Sequence, residues 1–412
     1  MGEVVAAATA EAATAKGLVA RARSELGNIL EFWRANTVDR ERGGFYSSVT
    51  NNLEVDATAP KGLVLNARIL WSFSRAYRHS ARPEDLQMAD RAAEYLREHF
   101  WDEQYGGYFL SVDAWGKPVH TTKQTYGQAF ALYGLSEYAR ATGREDALAL
   151  VHNQYTILEQ AKDAIYGGYH EAFTRDWRPL GRSRLGEEDP DVAKSMNTHI
   201  HVLEAYTNAY TALPRPELGE DLEKVFEVIK DRIFDPSAAH LRLFFDEDWA
   251  STSPGTSFGH DIEASWLLVE AALALARPEM VRSAREMALQ LAGAVAREGL
   301  AEDGSVLYER RGGGHLDTDR HWWPQAEGVV GFVSAFQLTG QAEHLQTAAR
   351  IWDFIAAYIL DHRYGEWFWK VDSKGRPDPG LPKVGAWKCP YHNSRACFEV
   401  VERLGGIAAG AP

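Results

Sequence analysis

The chain has 412 residues, in which 58 Asp and Glu residues outnumber 44 Lys and Arg residues and give a formal net charge of −14. A chain this acidic repels the phosphate backbone of nucleic acids and anionic membrane surfaces, so the charge argues against both as partners. Hydrophobic residues make up 45% and charged residues 25%, which is the balance of an ordinary globular protein with a large core.

The chain begins with a segment of small residues, MGEVVAAATAEAATAKGLVARARSELG, that superficially resembles a targeting signal. It has no basic start, and two Glu residues interrupt it, which argues against a secretory signal. No apolar run approaches the roughly 18 residues of a membrane-spanning helix. Cys389 and Cys397 are too far apart along one predicted helix to form a disulfide. The sequence therefore predicts a cytoplasmic protein, with flexible ends at about residues 1–15 and 405–412.

A turn followed by alternating aromatic residues recurs about every 60 residues along the chain. The clearest copies begin with Gly-Gly and end in a polar turn that contains Asp, Trp or Gly, which is typical of a short β-hairpin. The copies lie at Glu41–Val49, Tyr105–Val119, Tyr166–Leu180, Leu241–Ala250, Ser305–Gly314 and Tyr364–Asp378. The sequence therefore predicts one structural unit that is used repeatedly.

Between these hairpins the hydrophobic pattern changes to the period of an α-helix. One segment in each repeat, such as Pro60–Ser80, is rich in Ala and apolar all round, so it must be buried on more than one side. Amphipathic segments such as Pro83–Phe100 and Glu343–Leu360 alternate with these buried ones. The pattern predicts an all-α fold, an (α/α)6 barrel of six inner and six outer helices that forms a single domain over residues 1–412. An open solenoid of helix pairs is the alternative.

Each predicted inner helix carries polar or titratable residues near its N-terminal end, at the same phase of the repeat. In a barrel these ends meet at one mouth, where the helix dipoles favour an anionic intermediate. His199 and His201 cannot both point inward from one helix, and His201, with Asn197 one turn earlier, is favoured. The resulting set is Arg68, Tyr126, Asn197, His201, His260, Glu263, Trp323, Glu327 and His392.

The spacing within this set suggests local partners. Glu263 follows His260 by three residues and is expected to orient its imidazole, and Ser257 is a candidate cap of the same helix. A buried Arg68 needs an anionic partner, which is either a ligand or one of the carboxylates Glu263 and Glu327. Together the histidines and the arginine predict a catalytic site.

A metal centre is the less favoured interpretation of the same residues. His201, His260 and Glu263 could supply ligands, but no HExxH motif or Cys-rich spacing is present. An arginine aimed at the same point also opposes a cation. The sequence therefore predicts neither a metal nor a cofactor. The 13 Trp residues suit a sugar site, because a flat ring covers the C–H face of a pyranose.

The chain resembles the cellobiose 2-epimerases of the N-acylglucosamine 2-epimerase superfamily from about Phe32 to Glu399, in the segments NARILWSFSRAYR, NTHIHVLEAYTNAY, SFGHDIEASWLL, WWPQAEGVVGF and GAWKCPYHNSRACFEV. The resemblance implies an (α/α)6 barrel that epimerises the reducing-end sugar of β-1,4-linked disaccharides at C2, without a cofactor. Cellobiose would become glucosyl-mannose, and lactose would become epilactose. The catalytic residues that it implies are Arg68, His201, His260 and His392. The sugar contacts that it implies are Tyr126, Asn197, Glu263, Trp323, Glu327 and Trp387, with Asp189 in a covering loop, Gly181–Asp191.

Other functions remain open on the sequence. A mannobiose 2-epimerase, an N-acylglucosamine 2-epimerase or an aldose–ketose isomerase would use related chemistry on another sugar or return the proton to C1. An inverting glycoside hydrolase would use Glu263 and Glu327 as its two carboxylates, but it leaves the three inward histidines unexplained. A non-catalytic sugar-binding protein needs no acid–base pair. The expected partner is a disaccharide substrate, and the expected state is a monomer.

Overall fold

The computed structural model describes residues 2–186 and 189–409, and within these ranges the chain forms twelve α-helices. The even-numbered helices form the inner layer and the odd-numbered helices the outer layer. The inner helices are α2 (Leu63–Ser80), α4 (Thr125–Thr142), α6 (Met196–Ala212), α8 (Phe258–Leu275), α10 (Trp322–Thr339) and α12 (Tyr391–Ala408). The outer helices are α1 (Gly2–Asn36), α3 (Pro83–Tyr95), α5 (Glu145–Leu158), α7 (Pro216–Val228), α9 (Pro278–Ala294) and α11 (Ala342–Phe354).

The inner helices form a closed ring. Each of them contacts the next inner helix along the chain, and α12 contacts α2, which completes the circle. Each outer helix from α3 to α11 packs against the inner helix that precedes it, and α1 packs against α12. The fold is therefore the (α/α)6 barrel that the repeats predicted, and the open solenoid is wrong.

The inner helices are buried on nearly all sides, as their Ala-rich sequences predicted. In α4, every residue from Thr125 to Ala139 is buried. Glycine sets how closely these helices approach each other at two places. A Cβ atom on Gly134 would lie 2.6 Å from the carbonyl oxygen of Ala67 on α2, and one on Gly331 would lie 2.8 Å from that of Ile262 on α8. Real Cβ atoms do not approach so closely, so only glycine permits this packing.

The outer helices are amphipathic and several of them end in a π-helical turn. The predicted segment Pro83–Phe100 is α3 followed by the turn Leu96–Phe100, and Glu343–Leu360 is α11 followed by the turn Ile355–Ile359. Over the described part of the chain, no helix combines the length and the apolar character needed to cross a membrane.

The two ends of the chain contain more helix than the sequence predicted. Helix α1 begins at Gly2 and buries Ala15 and Leu18 completely, and α12 continues to Ala408, inside the two segments that were expected to be flexible. Met1 and residues 410–412 lie outside the described residues. Both cysteines are free and buried, but Cys389 lies just before α12 rather than within it.

The predicted hairpins are short antiparallel strand pairs that join neighbouring repeats. Each hairpin also pairs with the short segment that leads into the preceding inner helix, and the bridge between Val49 and Val384 makes the same connection where the ring closes. The strands are β1 (Lys61–Gly62), β2 (Ser111–Val112), β3 (Pro118–His120), β4 (Lys123–Gln124), β5 (Ala172–Phe173), β6 (Lys194–Ser195), β7 (Phe234–Asp235), β8 (His240–Leu241), β9 (Phe244–Phe245), β10 (Thr256–Ser257), β11 (Glu309–Arg310), β12 (Leu316–Asp317), β13 (Arg320–His321) and β14 (Lys370–Val371). The pairs are β1–β2–β3, β4–β5, β6–β9, β7–β8, β10–β11–β12 and β13–β14.

Buried Lys–Asp ion pairs hold several of these lead-in segments in place. Lys61 Nζ lies 2.8 Å from Asp39 Oδ2, and Lys123 Nζ lies 3.0 Å from Asp102 Oδ2. The pairs Lys194–Asp163 and Lys383–Asp361 repeat the arrangement. Each Asp opens the turn that carries the glycines of a hairpin. The ion pairs therefore tie each of these hairpin turns to the segment that enters an inner helix, and so fix the N-terminal end of that helix.

Candidate active site

The inner helices bring most of the predicted polar residues together at their N-terminal ends. On one side, Arg68 Nη2 donates to Tyr126 Oη at 2.8 Å, and the Tyr126 ring meets the His201 ring edge-on with centroids 5.1 Å apart. On the other side, the ring of Trp323 lies 4.7 Å from that of His260.

The centroid of the same Trp323 ring lies 5.7 Å from that of His392, so Trp323 borders two histidines from different helices. The ring of Tyr391 connects the two sides, because its centroid lies 4.6 Å from that of His392 and 4.8 Å from the Arg68 guanidinium. The four residues predicted as catalytic therefore share one site.

Arg68 is a buried cation without a carboxylate partner. Its guanidinium lies 4.2 Å from the ring centroid of Phe130 and 4.8 Å from that of Tyr391. Its Nε atom has no hydrogen-bond partner among the described residues. Of the two alternatives for its partner, a ligand or one of the carboxylates Glu263 and Glu327, the second does not hold, because Arg395 bonds to both carboxylates. Arg68 therefore keeps its capacity to bind an anionic group.

His201 is held in one tautomer by a carboxylate. Its Nδ1–H donates to Glu204 Oε2 at 2.9 Å. Burial raises the pKa of Glu204, but the Arg395 cation and the hydrogen bonds from His201 and Tyr391 together outweigh burial and lower that pKa to about 2, so Glu204 is ionised and accepts. Burial also lowers the pKa of His201, which leaves the imidazole neutral at pH 7 with Nε2 as an acceptor.

His199, by contrast, is part of the scaffold. Its Nδ1–H donates to the Ser195 carbonyl at 2.7 Å, and its Nε2 accepts from the Tyr169 backbone N–H at 3.0 Å. Gln128 and Gln325 occupy the matching positions of α4 and α10 and likewise hold the backbone of the neighbouring hairpin. This supports the choice of His201 over His199.

We expect His199→Gln to remove a specific pH dependence of stability. Burial lowers the pKa of His199 to about 4, against about 6.5 in the unfolded chain. The unfolded state therefore binds more protons between these values, and the stability from the neutral histidine is present above pH 6.5 and is lost as the pH falls towards 4.

The free energy of unfolding of the wild type should fall relative to that of His199→Gln by about 1.4 kcal/mol per pH unit in this window. Urea denaturation of both proteins at pH 7.5, 5.5 and 4.5 measures the difference. If the free energies of unfolding of the two proteins differ by the same amount at all three pH values, the assignment of His199 as a buried neutral scaffold residue is contradicted.

His260 is oriented by a hydroxyl group and not by the predicted carboxylate. Its Nδ1 lies 2.7 Å from Ser257 Oγ, while Glu263, one turn further along, bonds elsewhere. Burial, together with the cationic forms of His201 and Arg68, lowers the pKa of His260 to about 3. The ring is nevertheless only half-buried, so a neutral imidazole is presented at the site.

His392 is oriented by Glu327. Its Nδ1 lies 2.7 Å from Glu327 Oε1, and the indole N–H of Trp266 donates to the other oxygen of this carboxylate at 3.1 Å. Because Glu327 is surrounded by donors, it accepts from His392 Nδ1–H. Burial and the positive charges of Arg68 and Arg395 keep the pKa of His392 well below its ordinary value.

A buried arginine on α12 connects the carboxylates beneath the histidines. Arg395 Nη1 donates to Glu204, and Arg395 Nη2 donates to Glu263 Oε1 at 2.5 Å and to Glu327 Oε1 at 2.7 Å. These bonds fix the carboxylates that hold His201 and His392. Burial and the charge of Glu327 raise the pKa of Glu263 well above its ordinary value.

The residues closest to a metal-ligand arrangement are Glu263, Glu327 and His392, whose ligand atoms lie within 4.8 Å of one another. This is a different trio from His201, His260 and Glu263, which the sequence suggested. Arg395 Nη2 already bonds to both carboxylates, so a divalent cation would meet a buried positive charge at hydrogen-bond distance. The donor set therefore does not suit a metal ion.

The predicted sugar contacts differ in how far they are exposed. Asn197, Trp323 and Trp387 are half-buried, and Asn197 Oδ1 has no partner among the described residues. Trp387 lies edge-on to Tyr126 with centroids 5.8 Å apart. Trp323 borders His260 and His392, Trp387 borders Tyr126, and Asn197 and both Trp side chains are partly exposed.

Asp189 is not brought into contact with the histidines. Its carboxylate accepts from the Gly186 backbone N–H at 2.8 Å, within the loop that was predicted to cover the site. Two residues of that loop, Glu187 and Glu188, lie outside the described residues.

Glu204 and Arg395 were not among the residues predicted from the sequence, and Ser257 was predicted to cap its helix and not to bond to His260. The spacing along the chain indicates all three. Glu204 follows His201 by three residues, His260 follows Ser257 by three, and Arg395 follows His392 by three, which places each pair on one helix face. Residues three apart are neighbours on a helix surface, so the sequence spacing alone indicates these pairs.

Comparison with known proteins gives one consistent family. The family model of N-acylglucosamine 2-epimerase (GlcNAc 2-epimerase) matches residues 43–396. Cellobiose 2-epimerase of Bacteroides fragilis is 43% identical over 375 residues, which cover 90% of this chain and 95% of the relative. Cellobiose 2-epimerase of Dictyoglomus turgidum is 40% identical, and the match covers 91% of this chain and 96% of the relative. The structure of cellobiose 2-epimerase from Bacillus thermoamylovorans matches with a TM-score of 0.90 at 37% identity, covering 93% of this chain and 99% of that one.

Proposed function

The chain belongs to the N-acylglucosamine 2-epimerase family, and from this we propose that it reversibly epimerises cellobiose at C2 of its reducing-end sugar. The observation that carries the proposal is the pair of neutral histidines, His260 and His392, which come from two different helices and both border Trp323. Inversion at C2 needs a proton to leave one face of the carbon and another to arrive at the opposite face. Two imidazoles from different helices suit that task.

We propose the following sequence of proton transfers. His392 Nε2 takes the proton of the C1 hydroxyl and passes it to the ring oxygen, which opens the ring and gives the aldehyde. A histidine then removes the C2 proton, the electron pair of that bond forms a C1–C2 double bond, and the π pair of the carbonyl moves to the C1 oxygen to give a cis-enediolate. Arg68, a buried cation with an unpartnered Nε, stabilises this anion, an effect worth about 3–4 kcal/mol per donor.

The second half of the reaction returns a proton to C2 from the other side. Rotation about the C2–C3 bond presents the opposite face, and the second histidine, which takes up a proton from solvent, donates that proton to C2, while the first histidine releases its proton to solvent. His201, whose Nε2 is an acceptor, holds a hydroxyl group at C1 or C2 of the sugar. Tyr126, Asn197, Trp323 and Trp387 provide the remaining contacts in this proposal. No metal or cofactor takes part.

The geometry argues against the inverting hydrolase. Such an enzyme holds its two carboxyl groups roughly 6.5–9.5 Å apart, with a water molecule between them. In this site Glu263 and Glu327 each have an oxygen within 4.8 Å of the other, and both bond to Arg395 Nη2. Carboxylates that share one cation are poorly placed to act as separate acid and base.

Incubation of cellobiose with the protein in heavy water tests the proposal. We expect a new disaccharide, glucosyl-mannose, that carries deuterium at C2, and the reverse conversion from glucosyl-mannose. Release of free glucose would instead indicate a hydrolase. Deuterium at C1 of a ketose as the main product would indicate an aldose–ketose isomerase, and recovery of unlabelled cellobiose alone would contradict catalysis at C2.

Chelation should leave the activity intact. The proposed chemistry uses histidines and arginine, and Arg395 occupies the position where a cation would need to bind. The epimerisation rate is therefore expected to be unchanged after treatment with excess EDTA and dialysis. Loss of activity that one divalent ion restores would contradict the assignment.

Trp387→Ala is expected to affect disaccharides more than monosaccharides. We propose that the half-buried indole stacks on the second sugar, so its removal raises KM for cellobiose while the rates with free glucose or mannose change little. Steady-state kinetics with cellobiose and with mannose measure the two effects. Equal losses for both would place Trp387 at the reacting sugar.

The remaining expectations follow from the same proposal. The residues of the site lie on the inner helices of one closed ring or on the segments that lead into them, which supports a single catalytic domain that is active as a monomer. The two buried free thiols, Cys389 and Cys397, support a reducing, cytoplasmic location. Lactose, with the same β-1,4 linkage, would be converted to epilactose.

A further inference from the structure

The two histidines of the proposed acid–base pair are held by chemically different groups. His392 Nδ1 faces Glu327, a carboxylate that also receives hydrogen bonds from Arg395 and Trp266. His260 Nδ1 faces only the hydroxyl of Ser257, at 2.7 Å. An ionised carboxylate can only accept, whereas a hydroxyl group can rotate and either donate or accept.

Ser257 occupies a position where a serine hydroxyl normally has another task. It is the N-cap residue of α8, with extended backbone angles (φ −108°, ψ 104°), yet its side chain makes no capping hydrogen bond. Ser195 is the N-cap residue of α6 and does cap, since its Oγ accepts from the Thr198 backbone N–H at 3.1 Å. The N-cap serine of α6 therefore caps its helix, whereas the N-cap serine of α8 bonds to the imidazole of His260.

From this contrast we propose that Ser257 is a positioning residue that lets His260 act as both base and acid at C2. The inference rests on the proposed epimerase activity. Before neutral His260 takes the C2 proton, its Nδ1–H donates to Ser257 Oγ, which leaves the lone pair of Nε2 free to accept the proton. After the transfer both ring nitrogens carry protons, and the hydroxyl still accepts from Nδ1–H.

The hydroxyl can also support the other neutral tautomer. When Ser257 Oγ–H rotates to donate to Nδ1, the Nε2 of His260 carries the proton and serves as a hydrogen-bond donor to the sugar. Glu327 does not permit this at His392, because an acceptor carboxylate fixes the proton on Nδ1. The site therefore combines one histidine of fixed tautomer with one whose tautomer follows the state of the substrate.

Ser257→Ala tests this role through the two faces of C2. Deuterium wash-in at C2 is measured separately from cellobiose and from glucosyl-mannose. The substrate whose proton faces His260 is identified as the one that loses exchange in His260→Asn. For that substrate we expect exchange to fall about tenfold in Ser257→Ala, and for the other substrate less than twofold. KM should change little, and Ser257→Thr, which keeps the hydroxyl, should restore the wild-type ratio.

Ser195→Ala is the matched control. It removes a true cap, so its urea midpoint should lie below that of the wild type, while both exchange rates keep their wild-type ratio. Ser257→Ala loses the bond to His260 Nδ1 and no capping bond, so the exchange ratio and not the midpoint distinguishes it from Ser195→Ala. Should Ser257→Ala fail to fold, Ser257→Gly removes the same hydroxyl with a residue that is favourable at N-cap positions.

The possible results distinguish a failure of the proposed epimerase activity from a failure of the proposed role of Ser257. No exchange in the wild type would contradict the epimerase activity and with it the role of Ser257. Exchange in the wild type with an unchanged ratio between the two substrates in Ser257→Ala would contradict the role of Ser257 alone. An equal fall for both substrates would show a general structural effect and would likewise overturn it.

Discussion

His260→Asn and His392→Asn are each expected to lower the turnover of cellobiose by at least about 10²–10⁴, the usual contribution of general acid–base catalysis. Asn keeps roughly the volume of the ring and removes the base. Because the two rings come from different helices and both border Trp323, we propose that each serves one face of C2, and net inversion needs both. The rate of epimer formation, followed by chromatography or NMR, measures the loss.

Proton exchange should separate the two variants. His392 also opens the ring in the proposed mechanism, so His392→Asn should abolish deuterium wash-in from both epimers. His260→Asn should keep some exchange for the one epimer whose C2 proton faces His392. His199→Gln is the control, since His199 bonds only to backbone and its loss should leave turnover intact. Near wild-type epimerisation by either Asn variant would contradict the two-base scheme and would direct the search to His201.

Arg395→Met is expected to lower the free energy of unfolding by about 3–5 kcal/mol, because it leaves buried carboxylates without their cation. The Arg395 side chain is 1% exposed and bonds to Glu204, Glu263 and Glu327. Activity should fall as well, since these bonds fix the carboxylates that orient His201 and His392. Urea denaturation at neutral pH measures the stability.

Two further variants show whether the effect comes from the buried charges. Arg403→Met removes an arginine of the same helix that pairs with the more exposed Glu270, so it should cost only about 1 kcal/mol. Adding Glu263→Gln to Arg395→Met removes one buried negative charge and should recover part of the lost stability. If Arg395→Met costs no more than Arg403→Met, Arg395 does not hold the carboxylates together.

The sequence predicted the positions of the catalytic candidates better than their partners. Glu263 follows His260 by the helical spacing, which made a hydrogen bond between them the simplest expectation. In the folded chain Arg395 lies 2.5 Å from Glu263 Oε1, and a buried cation attracts a carboxylate more strongly than a neutral imidazole does. The same arginine explains why Arg68 lacks the predicted carboxylate partner.

The sequence by itself determined the repeat, the alternation of buried and amphipathic helices, and the place of the polar residues at the helix N-termini. These features depend on local physics, namely hydrophobic periodicity, turn chemistry and the helical spacing that pairs His201 with Glu204. Only the tertiary structure decided which charges meet. Arg395 reaches Glu204, Glu263 and Glu327 across 191, 132 and 68 residues, contacts that exist only once α12 has closed the ring against α2 and α10. No local pattern encodes such contacts, because they depend on how the closed barrel places helices that are distant in sequence.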